Sequence, residues 1–156
     1  MESPLTIVFV LGCPGAGKGT LCKRIANEME WCHISVGDHL RYLSTIAIPG
    51  EDMFGGVSLL ELQRYLQDRK LLPADTITAI IAHKIRLERG HGNGHFLIDG
   101  FPRTVEVAES FEREVAKANM VLMLECSKEV AKARFVNRKR GDDDAAVFGQ
   151  RRGKTA

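Results

Sequence analysis

Three short apolar runs punctuate the chain, at residues 5–11, 96–98 and 120–126, and none has the polar alternation of a strand with one wet face. Between them apolar residues recur at helical spacing. Leu21, Ile25, Ala26 and Met29 predict a helix after the first run, residues 32–35 a short strand, and residues 37–48 another helix. Pro49, Gly50 and the pair Gly55-Gly56 mark a loop. Leu59, Leu62, Tyr65 and Leu66 share one face of the next helix. Pro73 opens a further one, with Ile77, Ile80, Ile81, Ile85 and Leu87 as its apolar positions and an end near Gly90. Helices at 105–117 and 128–138 complete the series. Strands alternating with helices, the strands apolar throughout, predict an α/β protein with a parallel sheet covered on both faces. Ligands in such sheets gather at the carboxyl ends of the strands, and three chemically loaded segments fall there.

The first is Gly12-Cys13-Pro14-Gly15-Ala16-Gly17-Lys18-Gly19-Thr20, between the first strand and the first helix. A glycine-rich strand-to-helix turn aims backbone N–H groups at one point, where the positive end of the helix dipole also points. Lys18 adds a charge for outer phosphates. The plain alternative, an ordinary turn with several glycines, does not account for that lysine. Gly19 follows Lys18 where Ser or Thr is usual, and Thr20 comes one later, so a magnesium role for that hydroxyl stays open.

The second is Asp99-Gly100-Phe101-Pro102-Arg103. Asp99 ends an apolar strand, where a carboxylate either forms a turn or holds magnesium directly or through water. Arg103 is either a surface arginine or a clamp for a second phosphoryl group. The third, Ser35 to Arg41, is either a capped helix start or another phosphate contact. Farther on, Arg134, Arg138, Arg140 and Arg151 bracket Asp142-Asp143-Asp144. Such a run is either a solvated face or a cover for a transferring phosphoryl group.

Composition narrows the classes. A chain of 156 residues with 44% hydrophobic and 27% charged residues fits one soluble domain with a real core. A net charge of +2 is too small to argue for nucleic acid, and the basic tail is broken by three aspartates with no aromatic residues interleaved. No apolar stretch approaches the roughly 20 residues of a membrane span, and no signal peptide is expected. Cys13, Cys22, Cys32 and Cys126 lack paired spacing and are expected to be reduced thiols in an intracellular, by default cytoplasmic, protein. His91 and His95 flank a Gly-Asn-Gly turn that reads as a polar turn before a strand rather than a metal site.

These segments together resemble the nucleoside monophosphate kinase family that includes adenylate kinase and UMP-CMP kinase. The resemblance covers nearly the whole chain in order: the glycine loop, Ser35 to Arg41, Leu71-Leu72-Pro73, Asp99 to Arg103, and Arg140-Gly141-Asp142-Asp143. It implies a P-loop NTPase-type parallel sheet flanked by helices, a small helical acceptor-binding insertion at 42–72 and a short lid at 139–150. It implies a phosphotransferase carrying the γ-phosphate of ATP to AMP, UMP or CMP with Mg²⁺, and a monomer that binds neither membrane nor nucleic acid.

By resemblance, Gly12, Pro14, Gly15, Ala16, Gly17, Lys18, Gly19, Thr20 and Arg134 face ATP, and Asp99 holds Mg²⁺ through water. Ser35, Gly37, Arg41, Leu72, Gly100, Arg103 and Val107 face the nucleoside monophosphate. Lys18, Arg103, Arg138, Arg140 and Arg151 serve the transfer itself, while Asp142 and Asp143 help hold the lid closed. Cys13, Cys22, His33 and Cys126, with their neighbours, lean toward the UMP-CMP branch.

The sequence departs from the family's pattern in three places. Val107 stands where the family has Gln or Asn to hydrogen-bond the acceptor base, a loss of about 1–3 kcal/mol in base discrimination. Residues 49–56 look like an insertion. The family continues past the position of Ala156 into another strand and helix, so a truncated chain with its fourth strand as an exposed edge is expected. A binding module without catalysis is the alternative function.

Overall fold

A computed structural model describes residues 4–46, 56–138 and 148–150. Four strands form one parallel sheet: β1 (Thr6–Gly12), β2 (Cys32–Ser35), β3 (His95–Asp99) and β4 (Met120–Leu124), in spatial order β2-β3-β1-β4. Val10 lies opposite Asp99 and Gly12 opposite Leu124, so the carboxyl ends of the strands come together at one edge. Among the described residues six helices connect and cover them, α1 (Lys18–Met29), α2 (Val36–Ile46), α3 (Leu59–Gln67), α4 (Ala74–Gly90), α5 (Val105–Glu114) and α6 (Lys128–Asn137), and residues 148–150 are helical as well.

Strand alternation divides the core between two faces. Ile7, Phe9, Ile34, Phe96 and Ile98 turn toward α4 and α5, where Ile77, Ile80, Ile81, Ile85 and Phe111 meet them. Val8, Val10 and Leu97 turn the other way, onto Cys22 of α1. The starts of α3, α5 and α6 are fixed by side chains. Ser58 and Glu61 form a reciprocal capping box on α3, and Thr104 and Ser127 each accept an N–H in the first turn of α5 and α6.

Several expectations need correction. Pro73 is the N-cap of α4 rather than its first residue, and Leu87 is half exposed, because α4 turns Thr76, Thr78 and Ala82 inward instead. On α1 only Cys22 is fully buried, and Met29 is exposed in the last turn. Helix α5 ends at Glu114, short of 117. Asn119 exchanges hydrogen bonds with the backbone of Ile7 at 2.8 Å, which pulls the chain straight for β4. Strand β4 stops at Leu124. Its one neighbour in the described sheet is β1, so Met120, Val121 and Met123 are exposed and the strand is not covered on both faces. The predicted insertion at 49–56 lies outside the described residues except for Gly56.

Candidate active site

The turn after β1 is built for a close approach. Gly12, Gly15 and Gly17 all have positive φ (144°, 82° and 98°), and the Cys13 carbonyl accepts from the Ala16 N–H at 3.1 Å. Helix α6 lies directly on the loop, with the Ala131 carbonyl where a Cβ of Gly15 would be. Lys18 begins α1, and its ammonium donates to the carbonyls of Gly12 (2.8 Å) and Cys13 (3.1 Å). Pro14 sits half-buried at the head of the turn, Ala16 is buried beneath it, and Thr20 is exposed on the first turn of α1. The Arg134 guanidinium reaches to 3.8 Å from the Cβ position of Gly17, which brings α6 charge to the loop.

Burial holds Lys18 below the usual lysine value. The Asp99 carboxylate opposes that shift, and Arg103 adds to it. The lysine of the glycine loop, the acid at the end of β3 and the arginine of the following turn therefore share one electrostatic neighbourhood. Arg138 contributes to it too, with its guanidinium 4.2 Å from the centre of the Phe135 ring.

The turn after β3 is anchored from below. Phe101 is buried and meets Phe9 and Phe111 edge-on at 5.6 and 5.3 Å, while Phe9 and Phe111 meet at 5.4 Å. The Gly100 N–H donates to Val10 at 3.0 Å, and the Arg103 Nε donates to the Gly100 carbonyl at 3.2 Å. Arg103 is thereby held by a turn whose apolar member is locked in the core.

A cleft opens beside this turn, between α2, α3 and the start of α5. Gly37, Arg41, Leu72, Gly100, Arg103 and Val107 all line it. Arg41 is paired with Asp38 on the first turns of α2. Val107 is buried, so the position offers an apolar wall and no side-chain hydrogen bond. Ser35 is at the end of β2, opposite Asp99, and does not line the cleft. Arg69 and Lys70 line it as well, and Arg69 donates to Gln150 at 3.0 Å. Sequence reasoning missed these two cations, although they immediately precede the Leu71-Leu72-Pro73 motif. Arg140, Arg151, Asp142 and Asp143 lie outside the described residues.

An Asp99 carboxylate almost out of water, at a strand end and beside the phosphate loop, suits a hard cation that binds oxygen ligands. The Asp99 Oδ2 is 3.8 Å from the Cβ position of Gly19 on the first turn of α1.

The Adenylate kinase family model matches residues 10–152, from the phosphate loop past the arginine-rich segment. The chain belongs to the adenylate kinase family. A Schizosaccharomyces pombe protein named uridylate kinase is 36% identical, over 85% of this chain and 66% of its own length. UMP-CMP kinase 1 of Oryza sativa subsp. japonica is 34% identical over 95% of this chain and 57% of its own length. Adenylate kinase isoenzyme 1 of Gallus gallus is 33% identical, over 90% and 67% respectively. This family member thus spans between about half and two thirds of the length of these curated relatives. Among its described residues no helix is long and apolar enough to cross a membrane.

Proposed function

We propose that the chain transfers the γ-phosphate of ATP to a nucleoside monophosphate (AMP, UMP or CMP) with Mg²⁺. The observation that carries this reading is that Lys18 of the glycine loop shares one electrostatic neighbourhood with Asp99 and with Arg103, which lines the neighbouring cleft. A single-phosphate ligand would need only the loop. A second cationic wall facing it suits an acceptor that also carries a phosphate.

Position supports the following division of work. The amides of the loop and Lys18 hold the β- and γ-phosphates of the donor, with Arg134 beside them. Arg41 and Arg103 hold the acceptor phosphate, Gly37, Gly100 and Leu72 shape the space around it, and Val107 walls the base. Residues 42–72 form the acceptor-binding insertion. Asp99 holds Mg²⁺ through water, and the ion when bound supplies charge neutralisation between the phosphates. Arg138, and by resemblance Arg140 and Arg151, offset charge on the group in flight, with Asp142 and Asp143 holding the lid over it. The protein's contribution is alignment and positive charge, because phosphoryl transfer asks for little covalent chemistry from side chains.

The test is direct: purified protein, ATP and Mg²⁺ with AMP, CMP, UMP and dCMP in turn, scored for nucleoside diphosphate. Product with any acceptor is expected. ATP binding with no product from any of them would leave only the binding-module reading, which the apolar Val107 wall favours.

A further inference from the structure

Three ligand atoms of different chemistry converge behind the phosphate loop. Cys22 comes from α1, His33 from β2 and Asp99 from the end of β3, and one atom of each lies within 4.8 Å of the other two. The His33 Nε2 and Asp99 Oδ2 are 3.3 Å apart. Strand register explains the meeting. His33 lies opposite Leu97, Asp99 is two residues beyond Leu97, and that face of the sheet is the one packed against Cys22. Cys22 is fully buried, whereas the side chains of His33 and Asp99 keep 13% and 10% of their exposure, which leaves a route from solvent to the cluster.

We propose that Cys22, His33 and Asp99 form a site for one borderline-soft divalent cation of the Zn²⁺ type. In a tetrahedral site with Zn–N, Zn–O and Zn–S bonds of about 2.0–2.3 Å, neighbouring ligand atoms stand roughly 3.3–3.6 Å apart. The His33–Asp99 spacing of 3.3 Å already has that value, and the Cys22 sulfur, within 4.8 Å of both atoms, closes on them when the ion binds. Sulfur, imidazole and carboxylate together select Zn²⁺ over Mg²⁺, which prefers oxygen. On binding, the Cys22 thiol gives its proton to solvent, its sulfur becomes the third protein ligand, and a water completes the tetrahedron. Asp99 is shared with the magnesium role proposed above, so a cation held here draws that carboxylate from the phosphate loop. That consequence rests on the proposed function; the binding itself does not.

Co²⁺ is the probe, because a cobalt–thiolate bond gives a charge-transfer band in the near ultraviolet. The full chain, reduced and free of nucleotide, is titrated with Co²⁺ alone. One equivalent is expected to bind with that band, and Zn²⁺ is expected to displace it. Cys22→Ala should abolish the band, and His33→Gln should weaken uptake at least tenfold. Cys32→Ser and Cys126→Ser should leave both unchanged. Thermal melts of each variant confirm that it is folded before titration. A wild-type chain without the band, or a band that survives Cys22→Ala, would overturn the site and leave a histidine–carboxylate hydrogen bond beside a buried thiol. Neither result depends on kinase turnover.

Discussion

The backbone carbonyl of Ala131 on α6 occupies the space that a side chain on Gly15 of the phosphate loop would need. Gly15 also has a φ of 82°, a conformation that costs an L-residue about 1–2 kcal/mol. Gly15→Ala is therefore expected to lower the melting temperature and to weaken ATP at least tenfold, because either the loop or α6 must move. Gly56 has a similar φ, and none of the described residues comes within 4 Å of its Cβ position, so Gly56→Ala should show mainly the strain. Nucleotide titration beside thermal melts separates the two effects.

Lys18→Met should reduce turnover by roughly 10²–10³-fold, the scale for removing one preorganised charge from a transfer site. The fold should survive, since burial already works against the charged ammonium. Rate measurements and a circular-dichroism melt on the same preparation test both halves.

The depressed Lys18 value also predicts a pH response. In the folded chain the ammonium loses its proton below the ordinary 10.5, so ATP affinity should begin to fall on the alkaline side before that pH. Stability moves the other way. Between the depressed value and 10.5 the unfolded chain binds the extra proton, so this group favours the folded state increasingly as pH rises. Comparing wild type with Lys18→Met across that window isolates the contribution.

Arg103→Ala is expected to raise the KM for the acceptor by roughly tenfold or more while leaving ATP affinity nearly unchanged, since Arg103 lines the cleft proposed above for the acceptor. Equal losses for both nucleotides in separate titrations would contradict this division.

Val107→Gln introduces hydrogen-bonding capacity at the buried wall of the cleft. Discrimination among AMP, CMP and UMP should rise by about 1–3 kcal/mol, measured as the ratio of kcat/KM values. An unchanged ratio would place the base elsewhere.

Phe111→Ala removes one member of the edge-on trio beneath the Asp99–Arg103 turn. A loss of about 3–5 kcal/mol is expected in denaturant unfolding. Phe111→Leu should lose less and preserve acceptor binding better, because the support under Phe101 is partly kept.

The phosphate loop, the strands around it and the turn from Asp99 to Arg103 were legible in the sequence because their signals are local. Glycines with positive φ, an apolar run before them and a lysine after them need no distant partner to be read. The same holds for Phe101 and Pro102 in the turn, although the burial of Phe101 against Phe9 and Phe111 was not visible. Leu87 and Met29 fit a helical stripe in sequence but face solvent, since which part of a stripe is covered depends on where the sheet ends. Arg69 and Lys70 entered the cleft only through the packing of α3 against its neighbours. His33 and Asp99 are 66 residues apart, and only the pairing of β2 with β3 and the seating of α1 on that face bring them to Cys22. The sequence by itself determined the glycine-rich turn between β1 and α1 and the order of strands and helices, because those follow from nearest-neighbour backbone preference and apolar periodicity. Tertiary structure alone decided which charges share a neighbourhood, because strand register and helix seating are set by burial across the whole core.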